Sequence, residues 1–392
     1  MSNIPLQHGI FLAPYHDIRE SPTVALRRDL ELIEHLDRLG FHEAWFGEHH
    51  STGWELIGSP ELMIAAAAEN TRHIRLGTGV ISLPFHNPLM VANRIIQLDH
   101  MTMGRAMFGV GPGLLPTDAL MLGIDIKAQR EMMVEALEAI LPLLRGEEVT
   151  HKGSWFTLHR ARVHFLPYTQ PHPEIAVASA ITPSGGMLAG RLDLGMLCVA
   201  ATETAGFDVL GENWKVANEV AAQYGRTMDA RRLRLVAPMH LAETREQARA
   251  DVAQGLSRWC EYFDRVAPKG MGGLVDRGDP VDLLTSSGRA AIGTPDDAIA
   301  MIEKLTAKQG DFGVMLLQAH NWAEWESTKR SYELYARFVM PHLSGVNRIR
   351  AQSFGSLRED FAAIDAERQK GVDRAFARWT ERKNSKPEGS GG

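Results

Sequence analysis

Four short stretches concentrate side chains that can handle protons: Tyr15-His16, Glu48-His49-His50, Phe85-His86-Asn87 and His320-Asn321-Trp322. An imidazole with an ordinary pKa of about 6.5 can hydrogen-bond and hand over a proton near neutral pH. Taken singly, each of these five histidines reads most simply as a hydrogen-bonded structural residue, but all of them close an apolar run, which points to one shared face. A metal centre is the other chemistry that histidines suggest. Adjacent residues on a strand point to opposite faces, so His49 and His50 cannot both aim inward. No H-x-H pair puts two imidazoles on one side, and no catalytic metal is expected.

Glycines form the second set. Gly77 and Gly79, then Gly109, Gly111 and Gly113, strip side chains from the ends of two successive apolar runs. Glycine inside a strand weakens it and marks close approach of a ligand or of another backbone. Tight packing explains any one of them; glycines on both runs predict a flat slot suited to an aromatic ring system. A third set, Ser179-Ala180-Ile181-Thr182-Pro183-Ser184-Gly185-Gly186, places hydroxyls and glycines ahead of a helix, where free N–H groups and the positive dipole end favour a phosphate. The same residues also serve as ordinary caps. Slot and phosphate seat together suggest a mononucleotide cofactor.

These groups need a frame. Apolar runs at 9–13, 43–47, 74–82, 106–110, 174–178, 194–199, 233–241 and 313–318 alternate with helical patterns at 22–39, 60–70, 88–101, 129–144, 185–191, 212–224, 245–263 and 295–308. Strict alternation predicts a parallel α/β sheet. An open doubly wound sheet and a closed (β/α)8 TIM barrel both satisfy it. The count of eight strand–helix units, with no GxGxxG after the first, favours the barrel. A barrel collects its active site at the C-terminal ends of its strands, where all three sets fall. Residues 145–173 read as a small β insertion, and 264–292, rich in Gly and containing Asp279-Pro280, as a long loop over the mouth. The expected division is a barrel over 1–345 and a C-terminal helical extension over 346–392. Within the extension, 356–382 is a helix lying on the barrel exterior or on a partner subunit, and 386–392 a disordered end.

Composition narrows the partners. The chain has 392 residues, 44% hydrophobic and 23% charged, with a formal net charge of −6. Net negative charge argues against nucleic acid, because binding to a polyanion needs clustered positive charge. No apolar run reaches the ~20 residues needed to span a bilayer. The first residues lack the layout of a secretory signal. Two cysteines, Cys198 and Cys260, cannot build a disulfide framework. A cytoplasmic enzyme is expected.

The motifs also resemble a known family. Gly40-Phe41, Trp45-Phe46-Gly47-Glu48-His49-His50, Leu76-Gly77-Thr78-Gly79-Val80, Leu83-Pro84, Gly104-Arg105, Phe108-Gly109-Val110-Gly111 and Ile292-Gly293-Thr294-Pro295 look like the bacterial luciferase-like flavin monooxygenases, over roughly residues 8–345. Phe11–Tyr15, 84–88 and 111–118 are most similar to the limonene monooxygenase-like branch. The resemblance implies a (β/α)8 barrel, usually dimeric, that takes reduced FMN (or FAD) from a separate NAD(P)H-dependent flavin reductase. Dioxygen then adds at the flavin C4a carbon, and the peroxide or hydroperoxide oxygenates an organic substrate. By resemblance, His49 lies by the flavin and assists formation of that intermediate, with Glu48 at the preceding motif position. Gly79–Val80 matches a non-prolyl cis peptide that supports the flavin ring, beside Gly111. Ser179, Thr182, Ser184, Gly185 and Gly186 match the segment that holds the FMN phosphate. Where luciferase proper carries a reactive cysteine and a phosphate-binding arginine, this chain has Gly111 and Pro112, so light emission is not expected.

A flavin peroxide survives only where water is excluded. Phe11, Tyr15, Trp54, Phe85 and Trp322 are the candidates for a dry substrate pocket; core packing is their plain alternative. The expected function is the oxygenase component of a two-component flavin monooxygenase acting on a small apolar substrate such as a terpene, alkene or cyclic ketone. Two rivals share the barrel: a deazaflavin-dependent oxidoreductase and a non-catalytic flavin-binding protein.

Overall fold

The eight apolar runs close on themselves. In the computed structural model, which describes residues 4–13, 15–266 and 278–385, they form β1 (Gln7–Leu12), β2 (Glu43–Phe46), β3 (Arg75–Thr78), β4 (Ala106–Gly111), β5 (Glu174–Ser179), β6 (Gly195–Cys198), β7 (Leu233–Leu241) and β8 (Val314–Gln318). Each strand pairs in parallel with the next, and β8 returns to β1, with Gln7 opposite Val314 and Phe11 opposite Gln318. The open-sheet alternative is therefore excluded, and the fold is the (β/α)8 barrel. Ile81–Ser82 extends the third strand past a break and pairs with Val110 and Gly111.

The helices keep the expected order: α1 (Pro22–Leu39), α2 (Pro60–Asn70), α3 (Pro88–Met101), α4 (Gln129–Leu144), α5 (Ser184–Leu192), α6 (Thr204–Gln223), α7 (Arg245–Arg265) and α8 (Pro295–Gln309). Proline opens α1, α2, α3 and α8, where its missing N–H is no loss. Gly40 ends α1 at φ +83°, a left-handed conformation that glycine adopts without strain. The Asp297 carboxylate accepts the Thr294 N–H at 2.8 Å, so α8 starts where the acidic signature placed it.

Three expectations change. Helix α6 begins at Thr204, a turn and more before the apolar pattern became visible at 212. The stretch 264–292 holds more structure than a loop: Pro280–Ser287 is a helix, and Ala291–Gly293 pairs with β7. Asp279-Pro280, read as part of that long loop, is an N-cap and first helical residue, with the Asp279 carboxylate accepting the Val281 N–H at 2.8 Å. Residues 267–277 of that stretch lie outside the described residues. A helix at Trp325–Leu334, not anticipated, comes after β8. The β insertion is confirmed as an antiparallel hairpin of Val149–Lys152 with Thr157–Ala161.

The chain divides into two compact units, Met1–Leu343 and Ser344–Gly392. The second, described by itself, is a single helix, Arg348–Asn384, on which Leu357, Phe361, Phe376 and Trp379 are exposed. The expected tail, 386–392, lies outside the described residues. Among the described residues no helix is long and apolar enough to cross a membrane.

Inside the barrel, Phe11, Trp45, Met107, Ala176, Leu197, Val236, Val314 and Leu316 form a dry layer. Below it, at the N-terminal ends of the strands, Arg234 is 1% exposed and bonds Glu43 at 2.7 and 2.8 Å and Glu174 at 2.8 Å. Trp45 donates its indole N–H to Glu43 at 2.9 Å, and the Arg234 guanidinium lies 4.9 Å from the indole centroid. The strand glycines answer to this layer. A Cβ on Gly77 would sit 2.7 Å from the Trp45 ring, and one on Gly79 2.9 Å from Trp45 and 3.2 Å from Phe11. On Gly109 it would lie 2.0 Å from the Thr78 carbonyl oxygen. The flat slot read from the sequence is thus filled, at these three glycines, by the chain's own Trp45. Only Gly111, whose Cβ would meet Val80 at 2.6 Å, belongs to the level of the mouth.

Removing one member of a fully buried ion pair strands the other's charge. Arg234→Met is expected to lower unfolding stability by about 3–5 kcal/mol. Urea denaturation of variant and wild type, with the slope unchanged and the midpoint reduced, checks it.

Candidate active site

The mouth is organised by the residue after Gly47. Glu48 is buried, and its carboxylate accepts the Ser82 N–H at 2.6 Å and bonds His86 Nε2 at 2.5 Å and His50 Nε2 at 3.0 Å. Burial alone would push this carboxyl up; the two imidazoles and the Ser82 N–H more than offset it and hold its pKa down at about 2. The third strand therefore meets the second through one charged group.

His49 meets a different set of partners, just past the end of β2. Its Nδ1 is hydrogen-bonded to Asp118 Oδ2 at 3.2 Å, and its Nε2 lies 3.2 Å from Glu55 Oε2. Burial would lower the imidazole pKa, but Glu55 and Asp118 outweigh it and the net direction is upward. Asp118, on the short helix Pro116–Met121, also accepts the His50 N–H at 3.1 Å and the Ser51 hydroxyl at 2.5 Å. Tyr262 of α7 donates its hydroxyl to Glu55 Oε1.

Of the five strand-end histidines, His49, His50 and His86 join this one network. The other two are structural. His16 is held between Asp29, 2.9 Å from its Nε2, and the Asn321 amide, 2.8 Å from its Nδ1. His320 donates Nε2–H to the Met239 carbonyl at 2.9 Å and stacks on Trp322 at 3.8 Å; burial pushes its pKa down to about 3, so it stays neutral.

The aromatic candidates separate into three places. Tyr15 stacks on Trp54 with centroids 4.9 Å apart, and Tyr262 meets Tyr15 edge-on at 5.3 Å. Trp322 packs in the same cluster, edge-on to Trp259 at 5.3 Å. Phe85 lies edge-on to His50 at 5.9 Å, and Gly113, at φ +92°, makes room for its ring: a Cβ there would come within 2.8 Å of it. Phe11 belongs to the barrel interior beneath Gly79. The hydroxyl of Tyr15 and the indole N–H of Trp322 are buried without a hydrogen-bond partner among the described residues.

Gly79–Val80 is a cis peptide, as expected. At the end of β5, the Ser179 hydroxyl is buried with no partner among the described residues, while the Thr182 and Ser184 hydroxyls bond each other at 2.9 Å at the surface. Helix α5 starts at Ser184, and the first turn closes with the Met187 N–H on the Pro183 carbonyl at 2.9 Å. The N–H groups of Ser184, Gly185 and Gly186 precede that bond and have no intrahelical acceptor. An orphaned hydroxyl, two exposed hydroxyls and free helix N–H groups make a donor set that fits a phosphate monoester. The two glycines serve packing as well: a Cβ on Gly185 would lie 2.7 Å from the Ala178 oxygen, and one on Gly186 2.5 Å from that of Asn213.

Sequence reasoning missed Glu55, Asp118 and Tyr262. No spacing links them, since Tyr262 stands 207 residues from Glu55 and Asp118 69 from His49.

A barrel whose C-terminal mouth carries this carboxylate–imidazole network defines a class. Residues 6–310 match the family of luciferase-like monooxygenases, and the chain belongs to it; it is a flavin-dependent monooxygenase. Among characterised relatives it is 46% identical to limonene 1,2-monooxygenase of Rhodococcus erythropolis, over 86% of each chain. It is 42% identical to 4-hydroxyprotoasukamycin monooxygenase of Streptomyces nodosus subsp. asukaensis, over 87% of this chain and 93% of that one. Among solved structures, the monooxygenase RslO1 of Streptomyces bottropensis superposes with a TM-score of 0.76 at 26% identity, over 86% of this chain and 99% of that one. The oxygenating constituent of 3,6-diketocamphane monooxygenase from Pseudomonas putida, a type II Baeyer–Villiger enzyme in complex with FMN, does so with a TM-score of 0.73 at 26% identity and the same coverage.

The Glu48 charge carries a pH signature. Its pKa is depressed from 4.5 to about 2, so the stabilisation is complete above pH 4.5 and disappears as pH falls through about 2. Glu48→Gln is expected to cost about 3 kcal/mol of stability at neutral pH, with the gap to wild type closing between those two pH values. Urea midpoints measured across that range check it.

Proposed function

We propose that the chain is the oxygenase component of a two-component system, receiving reduced FMN from a separate NAD(P)H-dependent reductase and using dioxygen to oxygenate a small apolar substrate. The observation that carries this reading is the placement of a buried imidazole between two carboxylates at the mouth of the barrel, close in sequence and space to the aromatic cluster. Reduced flavin, when bound, supplies the electrons that activate dioxygen.

The chain's own residues supply the rest. Ser179, Thr182, Ser184 and the N–H groups of Gly185 and Gly186 hold the phosphate. Val80, Gly79 and Gly111 form the support under the ring, above Phe11 and Trp45. His49 holds a proton at the reacting end, and Glu48 keeps His50 and His86 fixed beside it. Tyr15, Trp54, Phe85 and Trp322 exclude water, which strengthens every charge interaction inside. The substrate class is a terpene, alkene or cyclic ketone, matched to that apolar lining. The enzyme works as a cytoplasmic homodimer, with 1–345 as the catalytic barrel and 346–392 as an appended helix.

The test is a coupled assay with a flavin reductase, NADH, FMN and a terpene, measuring oxygen uptake and product. His49→Ala is expected to lower product by about 10²-fold while hydrogen peroxide is released instead. Ser179→Ala is expected to weaken FMN binding about tenfold without altering the fold, read by fluorescence titration. Reduced FMN that is neither bound nor turned over faster in the presence of the protein would overturn the reading.

A further inference from the structure

Two donors in the aromatic cluster beyond β1 and β8 have nothing to donate to among the described residues: the Tyr15 hydroxyl and the Trp322 indole N–H. Tyr15 is 4% exposed and Trp322 2%. A buried donor without an acceptor has given up its bond to water and regained nothing, so native chains keep few of them. Burial, and after it the charge of Asp17, pushes the phenol pKa of Tyr15 up, so the hydroxyl keeps its proton. An indole N–H can only donate. The nearby Tyr262 differs, because its hydroxyl is already committed to Glu55. What Tyr15 and Trp322 both lack is an acceptor, and the rest of their cluster, with Val252, Leu256, Leu284 and Ile292, is apolar.

The frame that holds the two donors is tightly specified. Tyr15 stacks on Trp54, and Trp322 lies between His320 and Trp259 at 3.8 and 5.3 Å. Asn321 ties the two loops together: its Nδ2 donates to the Tyr15 carbonyl oxygen and to His16 Nδ1, both at 2.8 Å. Asn321 stands at φ +49°, a left-handed conformation that Asn tolerates better than most side chains. On the other side, α7 closes against this loop at Gly255, where a Cβ would come 2.3 Å from the Trp322 carbonyl oxygen.

We propose that Tyr15 and Trp322 are the seat for an oxygen acceptor on the organic substrate, with Asn321 as the positioning residue that fixes one donor relative to the other, and that the substrate is therefore an apolar skeleton bearing a carbonyl or hydroxyl oxygen rather than a bare hydrocarbon. The inference rests on the substrate pocket of the functional reading above and narrows its substrate class. A ligand with such an oxygen gains bonds that the matching hydrocarbon has no atom to make, so the two are told apart by affinity. The apolar walls accept the skeleton of either.

The experiment needs no flavin. Full-length protein labelled at tryptophan with nitrogen-15 is titrated with limonene and with carvone, which adds a carbonyl oxygen to the same skeleton. Carvone is expected to bind about tenfold more tightly or better, the gain from one neutral hydrogen bond. It is also expected to shift the indole N–H resonance that Trp322→Phe removes. In Tyr15→Phe, the advantage of carvone over limonene should fall by about the same factor. Asn321→Gly, which keeps the left-handed backbone but loses both amide bonds, should reduce that advantage as well. Equal affinity of the wild type for the two ligands overturns the proposal, and that result needs no variant at all. A Trp322 resonance that carvone leaves in place overturns it too. So does an advantage that survives in folded Tyr15→Phe, since a bound water then accounts for the hydroxyl. Absence of any flavin binding defeats the functional reading instead, while the ligand titration is decided on its own.

Discussion

A carboxylate removed from water stays charged only where donors converge on it, and that constraint shapes the mouth of this barrel. Glu48 meets it with a backbone N–H from the extended third strand and two imidazoles, His50 and His86. To satisfy one charge the chain must bring together the end of β2, the Ile81–Ser82 extension and the turn before α3. Just beyond the same strand end, the His49 ring is held where Asp118 and Glu55 reach it. The site is therefore an outcome of charge satisfaction as much as of shape.

The other end of the barrel obeys the same rule with a different result. Arg234, Glu43, Glu174 and Arg75 neutralise one another below Trp45, and nothing titratable among them faces the mouth. That floor holds the indole in place; the indole leaves no room for a Cβ at Gly77, while at Gly109 the Thr78 carbonyl oxygen stands closest. A large aromatic side chain inside the barrel thus sets how deep any ligand can go.

Much of this could be read directly from residue order. All eight strands and eight of the helices between them came from apolar periodicity and from proline and glycine punctuation, because those signals are local; the short helices Pro116–Met121 and Pro280–Ser287 did not. Glu48 and His49 were visible as a motif, and the Gly79–Val80 cis peptide was legible through family resemblance. Asp279-Pro280 was read as part of a long loop, whereas the pair caps a short helix on which Val281 and Leu284 bury one face.

The sequence by itself determined the eightfold strand–helix alternation, the family and which strand end carries the acid and the histidines, since each depends on spacing within a few dozen residues; closure of the sheet into a barrel was settled by the pairing of β8 with β1. Only the tertiary structure decided that His16 and His320 are structural, that Trp45 fills the glycine slot, and that Asp118, Glu55 and Tyr262 close around His49. Those outcomes depend on loops from different strands meeting in space. No local pattern encodes such a meeting, because the energy that selects it, a buried charge finding its partners, exists only once the barrel has closed.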